Sequence, residues 1–119
     1  MRRDIEIGGQ TVACISNAAT PVIYRQVFHE DLLVFLQEFN NARRKDTILP
    51  GTTDMFCRLA YVMQGQAQMS TTEAFRKLSL DGFLTWLEGF RPLDFEMAGG
   101  DILNLYYENE ETQSKSKNA

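Results

Sequence analysis

The apolar positions of this chain change period once, near residue 20, and that change divides the molecule. Ile5 and Ile7 alternate with polar neighbours, Gly8-Gly9 follows, and a second short alternating run covers Thr11 to Ile15. Period two on either side of a glycine pair reads as a two-strand hairpin over residues 4–15, because glycine takes positive φ without steric cost. From Pro21 onward the apolar residues recur every three or four positions, which is the period of a helix.

Thr20-Pro21 opens the first helix: Thr is a good N-cap, and Pro at the first position gives up an N–H that has no partner there anyway. Ile23, Tyr24, Val27 and Phe28 form its apolar stripe. Asp31 caps a second helix carrying Leu32, Phe35, Leu36 and Phe39, with Leu33 and Val34 widening the stripe. That breadth predicts a helix buried on much of its circumference, at the centre of the fold. The pattern fades from Asn40 to Leu49, and Pro50-Gly51 marks a turn. Thr52 or Thr53 caps a third helix bearing Met55, Phe56, Leu59, Ala60 and Met63, with residues 65–68 as a connector. Ser70 and Glu73 fit a capping box. Ser79 caps a run of Leu80, Phe83, Leu84, Leu87 and Phe90, which Arg91-Pro92 ends. A last helix, from about Asp94 to Tyr107, is interrupted by Gly99-Gly100. The sequence therefore predicts a mainly α fold, a short N-terminal β-hairpin followed by a small bundle of about five helices. Residues 1–107 make one globular domain, with the hairpin at 4–15 and the helices over 20–107. Residues 108–119 make a polar, disordered tail.

Composition narrows the function. The chain has 119 residues, 44% hydrophobic and 24% charged, which suits one globular domain with its own core. No apolar run reaches the roughly 18 residues of a membrane span, and the basic start MRRDIEIGG has no apolar h-region behind it. A cytoplasmic protein is expected. The net charge of −4 argues against nucleic acid as a partner, since phosphate binding needs a basic surface. The one dense basic cluster, Arg43-Arg44-Lys45, ends a helix that begins with acidic residues, as the helix dipole favours.

The residues of catalysis do not assemble. Cys14 and Cys57 lie far apart without metal-site spacing, and read as small buried hydrophobes. His29 is the single histidine, and beside Glu30 and Asp31 it reads as a surface residue. Gly8-Gly9 lacks the Lys-Ser/Thr partner of a phosphate loop. No catalytic, cofactor-binding or metal-binding residue is assigned, and a non-enzymatic binding protein is expected. Eight Phe, five Met and four Tyr supply more adaptable apolar bulk than most small domains carry. Part of it suits a groove for a partner helix. Trp86 and Met97, off the main stripes, are the candidate partner-binding residues.

The order of these features resembles the tail assembly chaperones of phages and prophages. The resemblance runs through IEIGGQTVACIS, Ala18 to Tyr24, Val27-Phe28, Asp31-Leu32-Leu33 and Phe35-Leu36. It continues through the apolar helix from Phe56 to Met63 and the run from Phe83 to Leu87, covering roughly residues 4–107. Gly99-Gly100 departs from it. Such a family implies a non-catalytic, acidic protein without cofactors that binds the long, helical tape measure protein and keeps it soluble. It also implies help in recruiting the tail tube protein, and self-association into open helical assemblies. Members often have a longer, frameshifted form; Ser116-Lys117-Asn118 can be encoded by A-AAA-AAC, on which ribosomes slip. Two other readings compete. One is a small helical DNA-binding or anti-repressor regulator, with Arg43, Arg44, Lys45 and Arg58 on phosphates. The connector of about ten residues is too long for a helix-turn-helix. The other is a head-tail ring adaptor, which would close into a ring by itself.

Overall fold

The computed structural model describes the backbone of residues 1–118 and the side chains of residues 1–108. Two strands, β1 (Arg2–Ile7) and β2 (Gln10–Ile15), precede six helices: α1 (Thr20–Phe28), α2 (Leu32–Arg44), α3 (Thr52–Gln68), α4 (Thr71–Lys77), α5 (Leu80–Leu87) and α6 (Pro92–Asn118). The expected disordered tail, residues 108–119, lies outside the residues whose side chains are described, apart from Glu108.

The strands pair antiparallel with Ile5 opposite Val12 and Ile7 opposite Gln10. Gly8 and Gly9 both have positive φ, 59° and 80°, the conformation of a two-residue type I′ turn whose twist matches the strands. Ile5, Ile7 and Cys14 face the helices and are buried, while Asp4 and Glu6 point outward.

The centre of the molecule is α3, not α2. Every residue from 59 to 66 is buried, and α3 packs against β2, α6 and α1. A helix enclosed on all sides needs side chains acceptable all round, and Leu59, Ala60, Tyr61, Val62 and Met63 meet that need. Its polar residues find partners inside. Gln66 donates from Nε2 to Asn17 Oδ1 at 3.0 Å and accepts from Thr20 Oγ1 at 2.7 Å. Gly65 gives Leu78 room to press against the helix backbone. Residues 65–68, expected as a connector, thus continue the helix because tertiary contacts override the weak propensity of Gly.

The helix starts agree in part with the sequence. Asp31 accepts from the backbone N–H groups of Leu33 and Val34. Ser70 accepts from Glu73 N–H at 3.2 Å and donates to its carboxylate at 3.3 Å. Ser79 accepts from Gly82 N–H at 3.0 Å. Thr20 does not cap α1: its hydroxyl is committed to the buried contact with Gln66, and Ala19 occupies the cap without a side-chain bond. Neither Thr52 nor Thr53 caps α3, where Gly51 stands at φ 85° and Thr52 instead donates back to Leu49 O at 2.6 Å.

Gly99-Gly100 does not interrupt α6. Gly99 lies where α6 crosses α3, directly under the ring of Phe56, and any side chain there would collide with that ring. The glycine serves close helix packing rather than helix termination.

Candidate partner-binding surface

α2 explains why the surface is unusual. Its apolar residues span too wide an arc for one packing face, and the body receives only Leu32 and Leu36 as fully buried contacts. Leu33 and Val34 are therefore left more than half exposed, on a helix whose N-terminus Asp31 fixes. Between this face and α6 runs an open groove of about 300 Å³, lined by Leu33, Val34, Gln37, Asn40, Tyr106 and Tyr107 among others. Asn40 reaches toward Tyr107 across it, its Nδ2 donating to the hydroxyl at 3.4 Å.

Beyond Asn40 lies a second hollow whose lining, among the described residues, is Asn40, Arg43 and Arg44. Arg43, Arg44 and Lys45 form no ion pair among the described residues. The Arg43 guanidinium lies 5.7 Å over the Phe39 ring, an attraction of about 0.5–1 kcal/mol at an exposed site. An apolar trough thus opens onto a basic end in a protein that is acidic as a whole.

Two other helices expose apolar pairs at a spacing of four, which puts each pair on one helix face. On α5 the pair is Leu80 and Leu84, both more than half exposed, while Phe83 is buried and Leu87 half-buried. On α6 the pair is Leu93 and Met97, and Met97 is 79% exposed. Exposed apolar residues scattered singly are ordinary on a protein surface. Pairs at helical spacing on α5 and α6, with the adjacent Leu33 and Val34 on α2, form surfaces that a partner can cover.

The two residues singled out from sequence diverge. Met97 is exposed as expected. Trp86 is not: it is half-buried, with its ring 4.9 Å from Phe90, 5.6 Å from Phe95 and 5.7 Å from Tyr61. The turn at Arg91-Pro92 brings the start of α6 back over the end of α5, so Phe95 covers a ring that helical spacing alone leaves off the main stripe. Leu33, Val34, Leu80 and Leu84 were missed as surface residues because periodicity assigns them to core stripes. The excess width of the α2 stripe was the available signal.

Asp94 anchors that same turn. Its carboxylate accepts from Arg91 N–H at 2.8 Å and from the Arg91 guanidinium at 3.2 Å. The backbone bond, with help from the guanidinium, holds its pKa below the usual carboxylate range. Beside it, Thr53, Cys57, Leu87, Phe90 and Phe95 help to line a hollow of about 280 Å³. Cys14 and Cys57 are both free and buried. Burial pushes the Cys57 thiol up to about 11 and the Cys14 thiol to about 12. A thiol is nucleophilic only as thiolate, so neither is primed for chemistry. His29 is exposed and ends α1 in the left-handed conformation at φ 56°.

Among the described residues no His, Cys, Asp or Glu cluster could hold a metal ion, and no helix is long and apolar enough to cross a membrane. Comparison with family models, with curated proteins and with solved structures finds no match to this chain.

Proposed function

We propose that this protein is a tail assembly chaperone of a phage or prophage. It binds a long helical client, the tape measure protein, keeps it soluble and presents it to tail tube subunits, without catalysis. The observation that carries this reading is the set of paired apolar residues displayed by α2, α5 and α6 on an acidic body. A chaperone of an apolar helical client needs Leu and Met at helical spacing to cover the client's stripe. It also needs net charge to keep the covered complex soluble. The resemblance in sequence order over residues 4–107 supports the same reading.

The test is to sequence the neighbouring genes and co-express this protein with a very long helical reading frame found among them. Co-purification of the two, with the client in the soluble fraction only when this protein is present, supports the chaperone. A client equally soluble alone, or a gene among regulatory neighbours, refutes it. Sequencing the 3′ end for the A-AAA-AAC run, with mass spectrometry for a longer product, tests the expected frameshift separately.

A further inference from the structure

The hollow between the start of α3 and the turn from α5 to α6 shares no lining residue with the α2 groove, and its chemistry is its own. Leu87, Phe90, Pro92 and Phe95 give it apolar and aromatic walls, and Cys57, nine-tenths buried, completes the apolar part. The Phe90 and Phe95 rings stand 5.2 Å apart. At about 280 Å³ it lies at the small end of ligand sites, which run from about 300 to 1,000 Å³. It has room for one side chain rather than a cofactor. The rim is charged. Arg91 lines it but is already paired with Asp94 at 3.2 Å. Asp54 lines it too, and has no ion pair among the described residues. It stands close to the Cys57 thiol: after burial itself, the charge of Asp54 is the largest cause that raises that thiol's pKa. Glu96, exposed and also without an ion pair, accepts from the lining residue Thr53 at 3.4 Å. These two carboxylates outweigh the positive half-charge, about +0.5, of the α3 N-terminus.

We propose that this hollow receives a single arginine side chain from a partner protein. The aliphatic stem lies among Leu87, Pro92 and Phe95, and the guanidinium reaches Asp54 and Glu96 at the rim. Several properties select arginine. Its stem buries apolar area while its head stays at the rim. Its guanidinium sheds water more readily than an ammonium and packs on aromatic rings, as Arg58 does over Phe28 at 5.4 Å in this same chain. Its fork of donors can serve two carboxylates together. Arginine is also among the residues that most often anchor protein interfaces. An anionic group would meet Asp54 and Glu96, while the cation that could hold it, Arg91, is committed to Asp94. The assignment does not rest on the chaperone reading: co-expression tests that one, and isolated peptides test this one.

Nuclear magnetic resonance titration of the isotope-labelled full chain at low salt tests this. The probes are four capped pentapeptides that differ only in a central arginine, citrulline, lysine or glutamate. Citrulline keeps the shape of arginine and lacks its charge. The arginine peptide should shift the amide signals of Cys57, Leu87, Phe90 and Phe95. It should bind about tenfold tighter than the citrulline peptide, as two exposed charge pairs and one cation–ring contact together predict. Asp54→Asn should erase most of that preference and leave the citrulline affinity unchanged, with circular dichroism showing the fold intact. Glu96→Gln, at an exposed position, should weaken the arginine peptide by about threefold. Equal binding of arginine and citrulline makes the hollow a site for an uncharged side chain and overturns the proposal. Equal binding of lysine overturns the choice of arginine, and tighter binding of glutamate shows that the α3 N-terminus governs the rim. No signal shift around the hollow at millimolar peptide refutes the site. Propylguanidine, the same head and stem without a peptide backbone, is the last arm: if it binds more tightly than the arginine peptide, the hollow belongs to a small molecule and not to a partner protein.

Discussion

Replacing Gly99 by Ala should destabilise this protein, although Ala is the better helix former by about 1 kcal/mol. A β-carbon at Gly99 would stand only 2.7 Å from Cδ2 and Cζ of Phe56, far inside the roughly 3.5–4.0 Å at which carbon atoms attract. The ring cannot withdraw freely, because Phe56 is half-buried and leans edge-on against Phe39 at 6.2 Å. Relieving such overpacking costs about 1–3 kcal/mol. The net change is a loss of about 1 kcal/mol. Gly100, the next residue, provides the control: it is exposed, nothing lies within 4 Å of a β-carbon there, and Gly100→Ala should gain most of the propensity term. The two alanines should thus differ by about 2 kcal/mol, or a shift of roughly 8 °C in Tm for a domain of this size. Urea titration followed by circular dichroism and by the fluorescence of the single Trp86 measures both. Adding Phe56→Leu should remove most of the penalty at Gly99, since contacting residues are not additive. If the two alanines stabilise equally, α6 does not cross α3 at Gly99, and the packing described above is wrong.

Other perturbations have defined outcomes. Leu59→Ala, at the fully buried middle of α3, should cost about 3–5 kcal/mol by urea titration; a loss under 1 kcal/mol would mean that α3 is not central. Ser70→Ala should cost about 1 kcal/mol by removing the α4 cap, with Ser70→Thr nearly neutral. Asp94 has a lowered folded-state pKa, so its contribution is complete above the unfolded carboxylate value of about 3.9. It is lost as pH falls through the lower folded value. The wild type should therefore lose Tm relative to Asp94→Asn as the buffer is taken from pH 5 to pH 2, and parallel curves would exclude the role. Both thiols should resist alkylation at pH 8 in the native protein and react fast in urea, because burial keeps them protonated; rapid native reaction at Cys57 would show that its hollow opens.

The hairpin and the helix starts at Asp31, Ser70 and Ser79 were legible because each is a local decision. A glycine pair with positive φ, or a short polar side chain beside a free N–H, depends on few residues. What failed was the assignment of burial. Leu33 and Val34 read as core because apolar periodicity records a face without naming its cover, and the body leaves that face open. Gly65 and Gly99 read as interruptions because a glycine that admits a neighbour looks the same in sequence as one that ends a helix. Thr20 read as a cap because its partner, Gln66, is 46 residues away. The candidate surface was legible to the same extent: Met97 was found from its position off the stripes, and Trp86 failed because Phe95 folds back over it.

The central place of α3 has a consequence for how the chain is made. α3 leaves the ribosome with β2 and α1 already available to pack on it, but its remaining side awaits α6, whose crossing point at Gly99 comes 43 residues after Phe56. Until that helix emerges, Phe56 has Phe39 at its edge but nothing over the face that Gly99 later covers. The nascent chain is then itself an apolar, partly folded object of the kind that aggregates. Long-range closure of this sort also slows folding relative to a bundle of sequential helix pairs. A shortened chain that stops before α6 should bind hydrophobic dyes and fail to unfold cooperatively, even with its hairpin and first five helices intact in sequence.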